Sequence, residues 1–276
     1  MFKKAGIYFV ISVLTVFSFS CSEYQKISKS QDFRFKYEKA LEYYEREDYY
    51  RAMNLFDQVT PFYRGTAEAE DIAYKYSYAY YNQKDYIMAS FYFDRFAKTY
   101  PRSEKAEECM FMRAYCKYLD SPKYKLDQTS TVEAIQELQL FLNAYPNSER
   151  VAQCNELIDE LREKLQKKEL EIAKLFLKMD KYEAAVSAFE TLMEDYPDTK
   201  FREDAMFYTI QSYYYYASKS IRSKRVERYQ EAADTYNQFI AQYPDSEYNK
   251  EVNIMYEKAI KEINKITKKT DIENGL

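Results

Sequence analysis

The chain has 276 residues, with no histidine, no tryptophan and three glycines: Gly6, Gly65 and Gly275. Without histidine no Ser-His-Asp triad, Cys-His pair or His-ligated zinc can be built, and one internal glycine cannot form a glycine-rich phosphate loop. Lysine and arginine total 41 against 45 aspartates and glutamates, which leaves no electrostatic footprint for nucleic acid.

Lys3 and Lys4 precede an apolar run from Gly6 to Phe19. A membrane span needs about 20 such residues, so the run reads as a secretory signal over 1–20. It ends in Ser18-Phe19-Ser20-Cys21, and small residues before a cysteine at this position resemble a bacterial lipobox. That resemblance implies that Cys21 is acylated and becomes the mature N-terminus. Ser22 after it, in place of aspartate, implies sorting to the outer membrane. Loss of the signal leaves 39 basic against 45 acidic side chains. Residues 21–31 form a polar tether.

From residue 33 the chain is a repeat. Tyr86, Ala89, Phe93, Phe96 and Tyr100-Pro101 set a spacing that returns at Ala134, Leu138, Phe141 and Tyr145-Pro146. It returns at Tyr182, Ala185, Phe189, Leu192 and Tyr196-Pro197, and at Tyr229, Ala232, Tyr236, Phe239 and Tyr243-Pro244. Tyr49, Ala52, Phe56 and Val59 are an earlier copy without the proline. Steps of four and three keep these side chains on one helix face. The alanine admits a neighbouring helix and the proline ends the turn. This is the second half of a tetratricopeptide repeat. A hydroxyl two residues after each proline (Ser103, Ser148, Thr199, Ser246) is placed to N-cap the next helix.

The pattern predicts helices over 33–60 with a turn at Glu47-Asp48, then over 67–83, 86–99 and 104–119. Residues 120–129 interrupt the repeat, and Ser130 with Glu133 opens a helix that ends near Ala144. Residues 149–179 hold no proline or glycine, and Val151, Cys154, Ile158, Leu161, Leu165, Ile172, Leu175 and Met179 predict one long connecting helix. Helices over 182–195 and 201–217, a basic insert over 218–228, and helices over 229–242 and 247–266 follow. The fold class is therefore all-α: a solenoid of about five helix pairs closed by a capping helix. Its N-terminal lobe is 32–148, its connecting helix 149–179 and its C-terminal lobe 180–266, with a disordered tail over 267–276. Cys109, Cys116 and Cys154 read as small buried side chains rather than disulfide partners.

Beyond the repeat, several residues resemble one family. They are Pro61-Phe62, Tyr78-Ala79-Tyr80-Tyr81, Asp94-Arg95-Phe96, Met112-Arg113-Ala114, Asp127-Gln128 and Tyr145-Pro146-Asn147-Ser148. The chain resembles the BamD family of outer-membrane protein assembly factors over residues 33–262. Leu126 departs from its pattern, and Met179-Asp180 stands where an Arg-Gly pair is common. The resemblance implies a non-enzymatic scaffold without cofactor or metal. It would be lipid-anchored through Cys21 to the outer membrane, facing the periplasm, with an Omp85-type barrel subunit and unfolded outer-membrane proteins as partners. A glycan-binding lipoprotein of the SusD-like kind would also suit 32 tyrosines and 18 phenylalanines, but such proteins stack sugars on tryptophan, absent here. An envelope enzyme would need a catalytic domain, for which the repeats leave no room.

Two surfaces follow as expectations. Tyr37 and Tyr44 of the first repeat, Tyr74, Tyr78 and Tyr81 of the second, and Met112 and Arg113 of the third would line the inner groove of the N-terminal lobe. There aromatics would offer stacking area and Arg113 would grip a carboxylate. Four consecutive helical tyrosines, Tyr213, Tyr214, Tyr215 and Tyr216, cannot all be core. With Arg222, Arg225 and Arg228 they would form the interface for the membrane-embedded partner.

Overall fold

A computed structural model of the chain describes residues 23–273; the expected signal peptide and Cys21 lie outside the described residues. Helices account for the regular structure, and the described residues hold no strand. The chain divides into two compact units. Unit 1 ends at Ser121 and resumes over Thr129–Ile158; unit 2 takes Pro122–Gln128 and everything from Asp159.

Unit 1 opens with helical residues 23–29 (α1). Then come α2 (Phe33–Glu45), α3 (Tyr49–Val59), a 3-10 turn (Thr60–Phe62), α4 (Ala67–Asn82), α5 (Tyr86–Thr99), α6 (Ala106–Asp120) and α7 (Thr129–Ala144). Helix α8 (Val151–Lys178) begins in unit 1 and continues in unit 2. Unit 2 goes on with α9 (Tyr182–Asp195), α10 (Arg202–Lys219), α11 (Arg222–Gln242) and α12 (Asn249–Glu273).

The repeated alanine and aromatic positions form the core. Ala52, Phe56, Ala89, Phe93, Ala134, Phe141, Ala185, Phe189 and Phe239 are fully buried. Each phenylalanine so buried stabilises the fold by about 2 kcal/mol. Hairpin turns are closed without glycine: Glu47, Lys84 and Asp180 adopt positive φ, at 62°, 62° and 59°. Their neighbours then return to the preceding helix, as when Asp48 N–H donates to the Tyr43 carbonyl at 2.9 Å. Asp32, Asp48 and Asp85 N-cap α2, α3 and α5. Cys109, Cys116 and Cys154 are free and buried. Burial pushes the first two thiols up to about 12.

The hydroxyl after each Tyr-Pro does not cap. Ser103 accepts from Lys105 N–H at 3.1 Å, before α6 starts, and donates to Glu70 of the previous first helix at 2.6 Å. Ser148 repeats this with Arg150 and Glu107, and Thr199 with Phe201 and Gln166. In these three the hydroxyl joins consecutive repeats, while Ser246 accepts from Tyr248 N–H at 3.1 Å.

Four further expectations shift. Residues 23–31 are not a bare tether: Ile27 is buried in the core of α2 and α3, and Gln58 donates to Ser28 at 3.0 Å. In α8 the buried face turns after Leu161 to Leu170 and Ala173, leaving Ile172, Leu175 and Met179 exposed. There Leu170 and Ala173 pack with Ala185, Phe189, Leu192 and Ala205 of α9 and α10, and Gln166 accepts the Thr199 hydroxyl at 2.8 Å. Finally, α12 runs on to Glu273, so residues 267–273 of the tail expected to be disordered are helical, the rest lying outside the described residues, and most of the basic insert belongs to α11.

Candidate functional site

The first helices α2, α4 and α6 of unit 1 share an aromatic ledge. Tyr37 donates to Asp71 at 3.2 Å. Tyr74 and Tyr78, one turn apart on α4, both donate to Glu108, at 2.9 and 2.6 Å. Lys105 sits 4.4 Å from the Tyr74 ring centroid and 3.8 Å from Asp71. Lys75 lies 4.8 Å from the Tyr44 ring. Rings continue the surface: Tyr74 and Tyr78 are 4.9 Å apart, Tyr78 and Tyr81 6.1 Å.

Burial keeps these hydroxyls protonated. Desolvation, reinforced by Asp71, pushes Tyr37 up to about 12. Desolvation alone dominates at Tyr44, also at about 12. Tyr74 reaches about 12 through desolvation and Glu108, against an opposing bond from Tyr78. Tyr78 is raised further by burial and Glu108. Tyr37, Tyr74 and Tyr78 thus spend their protons on carboxylates of the next repeat. Among the described residues the hydroxyls of Tyr44 and Tyr81 have no such partner, so they remain able to donate and accept.

The five tyrosines lie along α2 and α4; Met112 and Arg113 do not join them as ligand groups. Met112 is buried in α6. Arg113 is 14% exposed and forks onto Asp94, at 2.6 Å, and Glu137. It bridges α5, α6 and α7 through its two terminal nitrogens, and its Nε is buried without a hydrogen-bond partner. Burial raises the Asp94 pKa, but hydrogen bonds from Lys98 and Arg113 outweigh it and hold it below the ordinary value.

Sequence reasoning missed Asp71, Lys105 and Glu108. The repeat period finds them: Tyr37 to Asp71 and Tyr74 to Glu108 each span 34 residues, so each pair occupies one place in successive repeats. A cleft of about 590 Å³ in unit 1 lies elsewhere, between α3, the 60–66 connector, α4 and α5. It is lined by Tyr76, Tyr92, Arg95, Phe96 and Tyr100 and holds none of the expected residues.

The tyrosine quartet of unit 2 is mostly committed internally. Tyr213 donates to Glu190 and Tyr216 to Glu183, both at 2.8 Å. Tyr214 packs against Tyr229 at 5.8 Å. Arg228 lies 3.6 Å from the Tyr216 ring and donates to its hydroxyl at 2.7 Å, while Arg225 donates to the Ser220 carbonyl at 2.8 Å. Tyr213 and Tyr216 thus hold α10 to α9, and Tyr214 and Arg228 hold α10 to α11. Tyr215, 40% exposed, and Arg222 point outward. Tyr215 lies 5.9 Å from Tyr182, just past Met179, itself 55% exposed.

Among the described residues, no group of three or more His, Cys, Asp or Glu could hold a metal ion, and no helix is long and apolar enough to cross a membrane.

Among solved structures, the chain is similar to the TPR2AB domain of yeast Sti1 from its pHSP90 complex. Identity there is 13%, coverage is 82% of this chain and 98% of that one, and the TM-score is 0.39. A tetratricopeptide-repeat protein of Bacteroides fragilis is 14% identical, with coverage of 83% and 98% and a TM-score of 0.38. Over 87 residues the chain is 29% identical to the outer membrane protein assembly factor BamD of Caulobacter vibrioides. That match spans 32% of this chain and 28% of the Caulobacter protein. Residues 30–227 match the YfiO outer membrane lipoprotein family. With most of its length matched, the chain belongs to the YfiO family of outer-membrane lipoproteins.

Proposed function

We propose that this protein is a periplasm-facing scaffold, anchored by acylated Cys21, that helps assemble β-barrel outer-membrane proteins. Family membership and the BamD match support the compartment and the task. The ledge of unit 1 supports a mode of action. Its tyrosines present flat apolar area with few rotatable bonds, suited to an extended, aromatic-bearing stretch of an unfolded client. Tyr44 and Tyr81, with uncommitted hydroxyls, bind the client; Tyr37, Tyr74 and Tyr78 hold their rings in place. Tyr215, Tyr182 and Met179 of unit 2 form the contact for the Omp85-type subunit.

The observation that carries this reading is the contrast between held and unheld tyrosines on one surface. Photo-crosslinking residues placed at 44, 81 and 215 in the native envelope test it. Client barrels captured at 44 and 81, with the Omp85 subunit captured at 215, are the expected result. Clients captured equally at the 590 Å³ cleft would move the site there.

A further inference from the structure

Tyr50, Ile87 and Val132 stand at one place in three successive repeats, each two residues before the buried alanine. They are 70%, 65% and 44% exposed. One turn beyond Ile87, Phe91 is 56% exposed. The same place in unit 2 is polar: Glu183 accepts the Tyr216 hydroxyl, and Gln230 donates to Asp234. The apolar row is therefore peculiar to unit 1 and not a demand of the repeat.

Tyr50 and Ile87 open their helices, so they lie on the edge made by the hairpin turns. Asn82 and Gln83, in the α4–α5 turn, reach Tyr49 at 3.0 Å and Met53 at 3.7 Å on the first turns of α3. Val132 opens α7 beside the end of α6, where Lys117 pairs with Glu133 at 3.0 Å.

The described chain begins at this edge. Glu23 lines a small crevice with Arg46, Asp48 and Arg51 at the α2–α3 turn. Tyr24 meets the Tyr43 ring edge-on at 5.8 Å, under the Arg51 guanidinium at 5.5 Å. Cys21 precedes Glu23 by two residues, at most about 7 Å of chain.

We propose that the turn edge of unit 1 is a membrane-docking surface, with Tyr50, Ile87 and Val132 seated at the boundary between headgroups and acyl chains. The inference rests on acylation of Cys21, which holds a lipid surface within that reach. An exposed apolar row of this kind marks an interaction site, and tyrosine favours the membrane interface. An acyl anchor fixes distance from the bilayer but not orientation; a row on one edge fixes orientation.

The test couples the mature chain through Cys21 to a maleimide lipid in vesicles of phosphatidylethanolamine and phosphatidylglycerol. Cys109, Cys116 and Cys154 are buried and escape coupling. A fluorescent amino acid is placed at Ile87 or, on the opposite edge, at Glu104. Quenching by a bilayer-embedded quencher is expected to be roughly threefold stronger at 87 than at 104, and to fall to the level at 104 in the Tyr50→Ser, Val132→Ser background. Equal quenching at both positions overturns the proposal. So does protection of position 87 that appears only when the Omp85 subunit is added, which would give the row to a protein. Because the lipid is attached chemically, this outcome is separate from the cell's own acylation, which the intact mass of the native protein reads.

Discussion

Tyr78 and Glu108 face each other across adjacent repeats, and the tyrosine hydroxyl donates to the carboxylate at 2.6 Å. Glu108 also accepts from Tyr74. Glu108→Ala strands two half-buried hydroxyls and is expected to cost about 2 kcal/mol. Tyr78→Phe keeps the ring and loses one bond, for about 1 kcal/mol. Urea melts of the two variants measure the difference. An undisturbed midpoint for Glu108→Ala would mean that the pair does not brace the ledge.

Arg113 is a brace, not a ligand. Its removal leaves Asp94 and Glu137 facing each other without their shared cation. Arg113→Ala is expected to destabilise by about 3 kcal/mol at neutral pH. The folded pKa of Asp94 is depressed below 3.8, so its contribution is present above that pH and lost as pH falls through the folded value. The gap between wild type and variant should narrow in melts taken below pH 3.8. A gap that stays constant into acid would rule out the ion pairs as its source.

Alkali acts in the opposite direction. Tyr37, Tyr44 and Tyr74 have pKa values of about 12 in the fold against 10.0 unfolded. Raised values mean a contribution that is complete below pH 10 and disappears as pH climbs toward 12. Tyrosinate absorbance and circular dichroism, followed together, are expected to show these three ionising only as helix is lost. Ionisation of all tyrosines with the helix signal intact would contradict the burial described.

Glu47 and Lys84 hold left-handed backbone that suits glycine. Glu47→Gly and Lys84→Gly are each expected to raise stability by about 0.5 kcal/mol, relief of strain outweighing added chain entropy. Gly65, at φ 83°, is the converse case. No atom lies within 4 Å of a Cβ added there, so Gly65→Ala should cost about 1 kcal/mol through backbone strain alone. Chemical denaturation of the three variants settles the signs.

Under the proposed function, stability and recognition separate in unit 2. Arg228→Ala removes a stacked, hydrogen-bonded guanidinium and should lower the melting temperature, at about 1 kcal/mol. Tyr215→Ala should leave melting unchanged and weaken co-purification of the Omp85 subunit by about 2 kcal/mol. The reverse pattern would return the interface to the basic residues of α11.

The helix hairpins were legible because their signal is local: alanine, aromatic and Tyr-Pro at fixed steps, with aspartates at the N-caps. The five ledge tyrosines were legible too, since one helical face follows from spacing. Arg113 and the tyrosine quartet were misjudged for one reason. Their partners, Asp94, Glu137, Glu183 and Glu190, lie 19 to 33 residues away on other helices. An apparently surplus charge or ring cannot be told from a paired one until those helices pack. The turned face of α8 was hidden likewise, because the helices it packs against, α9 and α10, lie further along the chain.

The Ser103–Glu70 and Thr199–Gln166 tethers each span 33 residues, and the Ser148–Glu107 tether spans 41, because the interrupting loop lies inside it. In all three a hydroxyl donates to a side-chain oxygen, a glutamate's twice and a glutamine's once. What the hydroxyl gauges is therefore the gap between neighbouring first helices, not the length of chain that bridges it. A lineage could lengthen or trim the hairpin between α6 and α7 and retain the pitch of the stack, provided the serine after the Tyr-Pro and the acid one repeat earlier survive. Sequence drift in this protein is thus expected to be fastest in the bridge and slowest at its two footings.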